Sequence, residues 1–393
     1  MFDTAIARPE RYDAVIVGAR CAGAATAMLL ARAGLRVLAI DRAEYGSDTL
    51  STHTLMNGAV LSLDRWGLLP AVRAAGTPAV MATTFHYGDE QITVPARTEA
   101  DALYAPRRTV LDRILVDAAR DAGAEIRFGC TMETLTTDGG GRVTGLIYIG
   151  PNGQRIAVHA RIVIGADGAS SRVAAQVSAK TRVRGEAGGA TLMCYVPGMA
   201  GRGFHWHYRN GLMAGIIPTN DDQACVFVGG RHERFRGAPL AETFQTRLRE
   251  AAPSLAAAMR RTEPAGRLRF FAGRCGYLRT AQGAGWALVG DAGYFKDPCT
   301  AHGITDAFRD AELLARAVIA DHPAALAAYE TQRDSLSLPL FEITERIARF
   351  DWSLGALKRD LIALGKCMQE ENEAMSRIVA EPPQAPPRLA AAS

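Results

Sequence analysis

The first forty residues constrain this chain most. Residues 12–17 are a short run of β-formers ending on Gly18, residues 22–33 are rich in Ala and Leu and stop at Gly34, and a second apolar run, 36–40, ends on Asp41. Strand, helix, strand in that order is a parallel βαβ unit, because parallel neighbours need a crossover and a helix is the usual one. Gly34 is placed to cap the helix in the left-handed region, where a Cβ is penalised.

Gly18, Gly23, Ala27 and Gly34 fall at the places of a GxGxxG-type turn, with Arg20 where the middle glycine would stand. Gly18 permits the tight turn out of the strand, and Gly23 and Ala27 let the helix pack on the sheet. The helix N-terminus, Arg20, Cys21, Ala22 and Gly23, then presents free N–H groups and a positive dipole to a pyrophosphate. The Arg20 guanidinium either adds a counter-charge there or points to solvent. Asp41 lies roughly 20 residues beyond the glycine loop, where a carboxylate accepts hydrogen bonds from an adenosine ribose, and Arg42 reaches the same end. A dinucleotide site is expected, a structural glycine turn being the alternative.

With 393 residues at 48% hydrophobic composition, the chain is long enough for two to three packed layers or two domains. Lys plus Arg outnumber Asp plus Glu by 45 to 41, and the charges are mixed along the chain, so neither nucleic acid nor an acidic membrane surface is an expected partner. No run approaches the ~18 to 20 apolar residues of a membrane span. The N-terminus carries Asp3 and Glu10 and no small-residue cleavage site, so no signal peptide is expected. Seven scattered cysteines without a CxxC pair fit neither a disulfide framework nor a zinc site and point to a reducing cytoplasm. The Pro- and Ala-rich stretch 381–393 reads as a flexible tail.

Residues 55–66 and 109–121 have helical periodicity, and a strand is expected at 125–128. Runs at 132–135, 143–149 and 156–159 alternate with glycine- and asparagine-bearing turns, as in a hairpin, and 161–164 reads as a further buried strand. Between 180 and 275 the helical period fades, and runs at 190–196, 203–208, 212–217 and 224–229 predict a separate antiparallel sheet. From Gly303 onward the pattern is helical, with a break expected at Pro339 and a second long helix over 356–379.

The segment 161–171, RIVIGADGASS, resembles the GADGxxS segment of PHBH-type (p-hydroxybenzoate hydroxylase-like) flavoproteins. Arg108 opening RTVLD resembles the arginine-initiated helix of that superfamily, and WALVGDA at 286–292 resembles its second FAD-contacting segment. The resemblance covers 12–330. It implies an α/β fold whose Rossmann-like FAD-binding domain is discontinuous over 1–80, 103–178 and 276–330. A substrate-binding antiparallel sheet would be inserted over 81–102 and 179–275, with C-terminal helices over 331–380. It further implies FAD as cofactor, with Asp167, Gly168 and Gly290 in the contacting segments, Asp291 at the ribityl chain and Arg108 near the cofactor. After the Gly290–Asp291 pair the family pattern has His, Pro and two glycines; here Tyr294, Pro298, Ala301 and Gly303 stand there. That loop leads into a helix whose N–H groups face the flavin pyrimidine and stabilise negative charge on reduced flavin, or it is an ordinary glycine-rich helix entry.

The activity implied is NAD(P)H-dependent monooxygenation of a hydrophobic or aromatic small molecule by molecular oxygen through a peroxyflavin. Only one dinucleotide fingerprint is present, so NADH or NADPH would be a transient reductant. Geranylgeranyl reductases and flavin-dependent halogenases share the scaffold and carry YxWxFP and WxWxIP on one strand. Here MAGIIP at 213–218 lacks both aromatics, which argues against those two chemistries. A flavin-dependent reductase or dehydrogenase of the geranylgeranyl reductase type and a non-enzymatic flavin-binding protein are the alternatives.

On the run 204–208, Phe204, Trp206 and Tyr208 share one strand face and His205 and His207 the other. With Met213 the aromatics are candidates for a substrate wall; the alternative is sheet core with solvated histidines. Two histidines two apart suit a metal, but no third ligand accompanies them at a telling distance, and no metal site is expected. His53 lies in a loop that passes the isoalloxazine in the resembled fold, and it is a candidate proton donor or acceptor. A surface or capping role is its alternative, Ser51 and Thr52 being good N-caps before a helix at Leu55. His302, between Ala301 and Gly303, is the other candidate.

Overall fold

The computed structural model describes residues 10–381 except 97, 99, 100, 200–202, 261, 263 and 323. Asp3 and nearly all of the expected tail lie outside the described residues.

The fingerprint unit forms the centre of a parallel sheet. Its strands run Trp286–Leu288, Arg155–Gly165, Glu10–Val17, Val37–Ile40 and Glu125–Arg127, each parallel to the next. Side chains alternate between two covered faces, so the strands read as unbroken apolar runs. Ala14, Ile16, Val37 and Ala39 pack under the helices Cys21–Arg32, Asn57–Arg65, Arg108–Asp121 and Gly303–Ala320. Val15, Val17, Leu38 and Ile40 pack against the hairpin Thr131–Thr137 and Val143–Ile149. The two runs expected at 156–159 and 161–164 are one strand, Arg155–Gly165. Its first half is antiparallel to Val143–Ile149 of the hairpin, and from Val158 to Gly165 it pairs with Glu10–Val17. Gly34, at φ +84°, closes helix Cys21–Arg32: its N–H donates to Ala31 O at 2.9 Å and that of Leu35 to Leu30 O at 3.2 Å, a Schellman cap.

A second, seven-stranded sheet runs Ala265–Phe271, Gly189–Pro197, Gln223–Arg231, Leu212–Pro218, Phe204–Arg209, Ala82–Tyr87 and Glu90–Pro95. It is antiparallel except where Phe204–Arg209 lies parallel to Ala82–Tyr87. One face packs under helices Leu240–Ala251 and Pro253–Met259 through Phe244, Leu248 and Leu255. These helices add to the strands expected between 180 and 275, where the helical period fades; they are short and separated at Pro253, which starts the second of them. The other face packs against the helices Ala325–Ala348 and Leu354–Ala380.

Pro339 does not break the helix as expected: it lies inside Ala325–Ala348. The lost backbone bond costs about 3 kcal/mol, and the buried neighbours Leu340, Phe341 and Ile343 hold the segment in place. The chain thus has an α/β fold with a Rossmann-like parallel sheet, an antiparallel sheet and C-terminal helices.

Candidate functional site

Three loops meet at the C-terminal ends of adjacent parallel strands, the place where open α/β sheets bind ligands. Gly18, at φ +103°, leaves no room for a side chain, since a Cβ would come 2.3 Å from Ala166 O; at Gly23 it would come 1.8 Å from Gly18 O. Gly290 packs the third loop on the first, a Cβ there meeting that of Ala22 at 2.9 Å. Helices Cys21–Arg32 and Gly303–Ala320 both begin here without a side-chain cap, which leaves first-turn N–H groups for a ligand. Gly303 is exposed, with open space around it.

Asp291 is open to solvent although Gly290 and Ala292 beside it are buried. The protein atoms packed around its carboxyl, with Asp306 nearby, raise it to about 6. An acid raised in the fold penalises the native state above that value, and the penalty fades as pH falls towards its unfolded value of about 3.9. Because the carboxyl is open to solvent, which screens most of that penalty, Asp291→Asn is expected to raise the thermal stability of the flavin-free protein at pH 8 only slightly and to leave it unchanged at pH 4. A scanning-calorimetry difference that grows towards acid would overturn this.

Asp112, 5% exposed, is shared by two cations. Arg108 donates to it through Nε at 3.1 Å and Nη2 at 2.9 Å, and Arg20 through Nη1 at 3.0 Å. The Cys21 thiol, pushed well up by burial, donates at 3.2 Å. Arg20 thus turns to Asp112 and to Ser47 O, neither directly over the helix N-terminus nor to bulk solvent. Asp112 was not singled out in the sequence; its position four residues after Arg108 was the available signal. Asp41 accepts from the N–H groups of Ala19 and Ala43, both at 2.8 Å, beside a shallow open hollow that also touches Arg20 and Phe128. Arg42 is exposed. Asp167 accepts from the Ser171 hydroxyl and from Arg172 N, so it caps helix Arg172–Gln176; Gly168 beside it sits at φ +77°.

The two candidate histidines differ. His302 is 1% exposed, with Nδ1 3.1 Å from Asp306 and Nε2 3.0 Å from Glu371. Burial opposes its charge, but Glu371 and Asp306 outweigh that and raise its pKa. Lys296 pairs with Asp306, and Arg309 bridges Asp306, Asp310 and Glu371. With both nitrogens facing carboxylates, His302 is a member of a buried ionic network beneath the Pro298–Gly303 loop. It does not present a free nitrogen to a ligand. In that loop Pro298 is exposed and Ala301 holds φ +54°, a conformation that favours glycine.

His53 is neither at the surface nor next to a helix cap. It is 1% exposed at φ +48°, and the helix begins at Asn57 with Met56 as its N-cap, because Leu55 is held in a bridge to Tyr104. Its Nδ1 lies 3.0 Å from Ala105 O and must carry the proton; Nε2 keeps its lone pair and has no partner among the described residues. Burial pushes its pKa down to about 3. The ring stacks on Tyr195 at 5.7 Å, and the Arg107 guanidinium lies 3.6 Å from the Tyr195 ring centroid. Asp48 binds Arg107 at 3.0 Å and Arg269 at 2.6 Å. Sequence reasoning missed Tyr195, Arg107, Asp48 and Arg269, which lie far apart in the chain and carry no motif.

Phe204, Trp206, Tyr208 and Met213 are buried in one apolar cluster with Phe227, Cys299 and Ala301, and Trp352 packs edge-on against Tyr208. His205 and His207 are not solvated: both are at least half-buried and stack with His86.

Residues 11–338 match the family model described as an FAD binding domain. The chain belongs to that family. Proteins similar to it include digeranylgeranylglycerophospholipid reductase 2 of Methanopyrus kandleri, 33% identical over 168 residues, which are 41% of this chain and 39% of that protein. The probable electron transfer flavoprotein-quinone oxidoreductase YdiS of Escherichia coli is 27% identical over 245 residues, 53% of this chain and 55% of that protein. The chain thus spans about half the length, or less, of these curated relatives. Among solved structures, the flavin-dependent brominase Bmp2 aligns with a TM-score of 0.78 at 18% identity, covering 94% of this chain and 99% of its own. PqsL, a probable FAD-dependent monooxygenase from Pseudomonas aeruginosa, aligns at 0.70 and 20% identity, covering 87% and 98%. At those identities the likeness shows the fold.

Proposed function

We propose that the chain is an NAD(P)H-dependent FAD monooxygenase acting on a hydrophobic or aromatic small molecule. The residues present fit FAD. The helix N-terminus at Cys21 to Gly23 suits the diphosphate, Asp41 the adenosine ribose, and Asp291 and Arg108 the ribityl side. The uncapped helix at Gly303 suits the flavin pyrimidine. When bound, the flavin supplies the redox chemistry; the chain orients it and excludes water. His53, with a buried lone pair and a low pKa, accepts a hydrogen bond there and does not carry charge.

One observation carries the substrate class. The wall of Phe204, Trp206, Tyr208 and Met213 is continuous with Cys299 and Ala301 of the loop assigned to the flavin, and C-terminal helices close over it. An aromatic cluster packed beside that loop favours a hydrophobic or aromatic molecule over a polar one.

The second reading is a flavin-dependent reductase, favoured by the sequence identity to digeranylgeranylglycerophospholipid reductase 2. The test is anaerobic mixing of the flavin-loaded protein with NADPH or NADH, followed by oxygen and a panel of phenols and indoles, with ¹⁸O₂ label read in the products. Flavin bleaching and label in a product support the monooxygenase. Reduction of a substrate double bond without oxygen uptake establishes the reductase, and bleaching by neither nucleotide would remove both readings.

A further inference from the structure

A cluster on the seven-stranded sheet lies outside the candidate site. His86 and His207 are register partners on the parallel pair Ala82–Tyr87 and Phe204–Arg209, and His205, two residues back on the second strand, points to the same face. Nε2 of His86 lies 3.1 Å from Nδ1 of His205, and the His86 and His207 rings stack with centroids 4.0 Å apart at 5°. One nitrogen from each ring falls within 4.8 Å of the other two. His207 is buried, whereas His86 and His205 are half-buried and reached from outside.

We infer that His86, His205 and His207 bind one late first-row divalent cation of the Zn²⁺, Ni²⁺ or Cu²⁺ class. Three imidazoles without a carboxylate suit such ions and not Mg²⁺ or Ca²⁺. The His86 to His205 nitrogen separation is close to the edge, about 3.3 Å, of a tetrahedron with Zn–N distances of about 2.0 to 2.1 Å. Parallel stacked rings do not converge on one ion. His86, half-buried on the strand next to the edge strand Glu90–Pro95, is the ring that tilts. Water completes the coordination. Without an ion the same residues are a hydrogen-bonded imidazole pair with a third ring stacked on it, and the experiment separates the two.

The ion would cross-link strands 119 residues apart whose opposite face carries Phe85, Trp206 and Tyr208. Its effect on the fold is to brace the aromatic cluster from behind.

The test uses untagged, flavin-loaded protein, stripped with EDTA and desalted, then titrated with ZnCl₂ by calorimetry and followed in thermal melts. One equivalent is expected to bind and to raise Tm by a few degrees. His86→Gln is expected to lose the saturable binding and the Tm rise while keeping the FAD content and metal-free Tm of the parent. His207 is buried, so a second readout does not rely on changing it: Co²⁺ added to the parent should give the visible absorption of a tetrahedral site, and His86→Gln should not. Absence of one-equivalent binding in the parent would overturn the proposal. So would unchanged binding in His86→Gln, which would transfer it to the His302, Asp306 and Glu371 group.

Discussion

Gly23→Ala is expected to purify without FAD. The added Cβ falls 1.8 Å from Gly18 O, a backbone atom, and Gly18 is itself fixed against Ala166. No flexible side chain can yield, so the turn and the first helical residues must move by an ångström or more. That displaces the N–H groups offered to the diphosphate, and misplacement on this scale costs on the order of 100-fold where geometry is tight. The measurement is the 450 to 280 nm absorbance ratio of the purified protein, with FAD titrated back by fluorescence quenching. Gly139→Ala, in the hairpin turn where a Cβ meets nothing within 4 Å, is the control and should keep its flavin. Stoichiometric FAD at parental affinity in Gly23→Ala would show that the loop does not hold the diphosphate.

The second large effect is expected at Arg309. This residue, 2% exposed, neutralises Asp306, Asp310 and Glu371 and donates to the Ser337 hydroxyl at 2.8 Å. Arg309→Met keeps most of the volume and leaves three buried carboxylates short of a partner, a change that costs about 3 to 5 kcal/mol. For a chain of this size that is a Tm fall of roughly 5 °C. The dependence on pH has a defined sign. Asp306 and Glu371 are held below their ordinary values despite desolvation, by Lys296 and His302 in the first case and by His302 and Arg309 in the second; their contribution is present above about pH 4.5 and fades in acid. His302 is raised, so its contribution is full below about 6.5 and is lost as pH climbs through its folded value. The gap between parent and variant should therefore shrink in acid, as the carboxylates that Arg309 neutralises take up protons, and persist above about pH 6.5, where loss of the His302 charge leaves Arg309 the larger share of their compensation. Arg182→Met, whose cation is half exposed, should shift stability by less than about 1 kcal/mol. A loss under about 1 kcal/mol in Arg309→Met would mean that the network contributes nothing net.

What could be read from the sequence was local. The turn at Gly18, the cap at Gly34 and the GADG segment depend on neighbours a few residues away, and the structure joins them as their spacing implies. Contacts closed over long distances left no such trace. His86 and His207 meet only because two distant strands pair in parallel, and Glu371 reaches His302 from the last helix. The position of His302 between Ala301 and Gly303 said nothing of those carboxylates, so its assignment as a proton carrier lacked the information that locks it. Pro339 reads as a break by local rules, whereas tertiary packing of Leu340 and Phe341 keeps the helix whole. Helices Leu240–Ala251 and Pro253–Met259 were lost in a stretch dominated by strands.

The order of strands in the parallel sheet also bears on how the protein is made. Glu10–Val17 leaves the ribosome first, but its partner Arg155–Gly165 follows much later and Trp286–Leu288 later still. Until Leu288 has emerged, one edge of the central sheet is an open apolar ladder, and the ionic network beneath the loop stays incomplete until Glu371 arrives. Assembly thus waits until the helix carrying Glu371 has been made, and a chain not yet extended that far leaves the ladder open to aggregation.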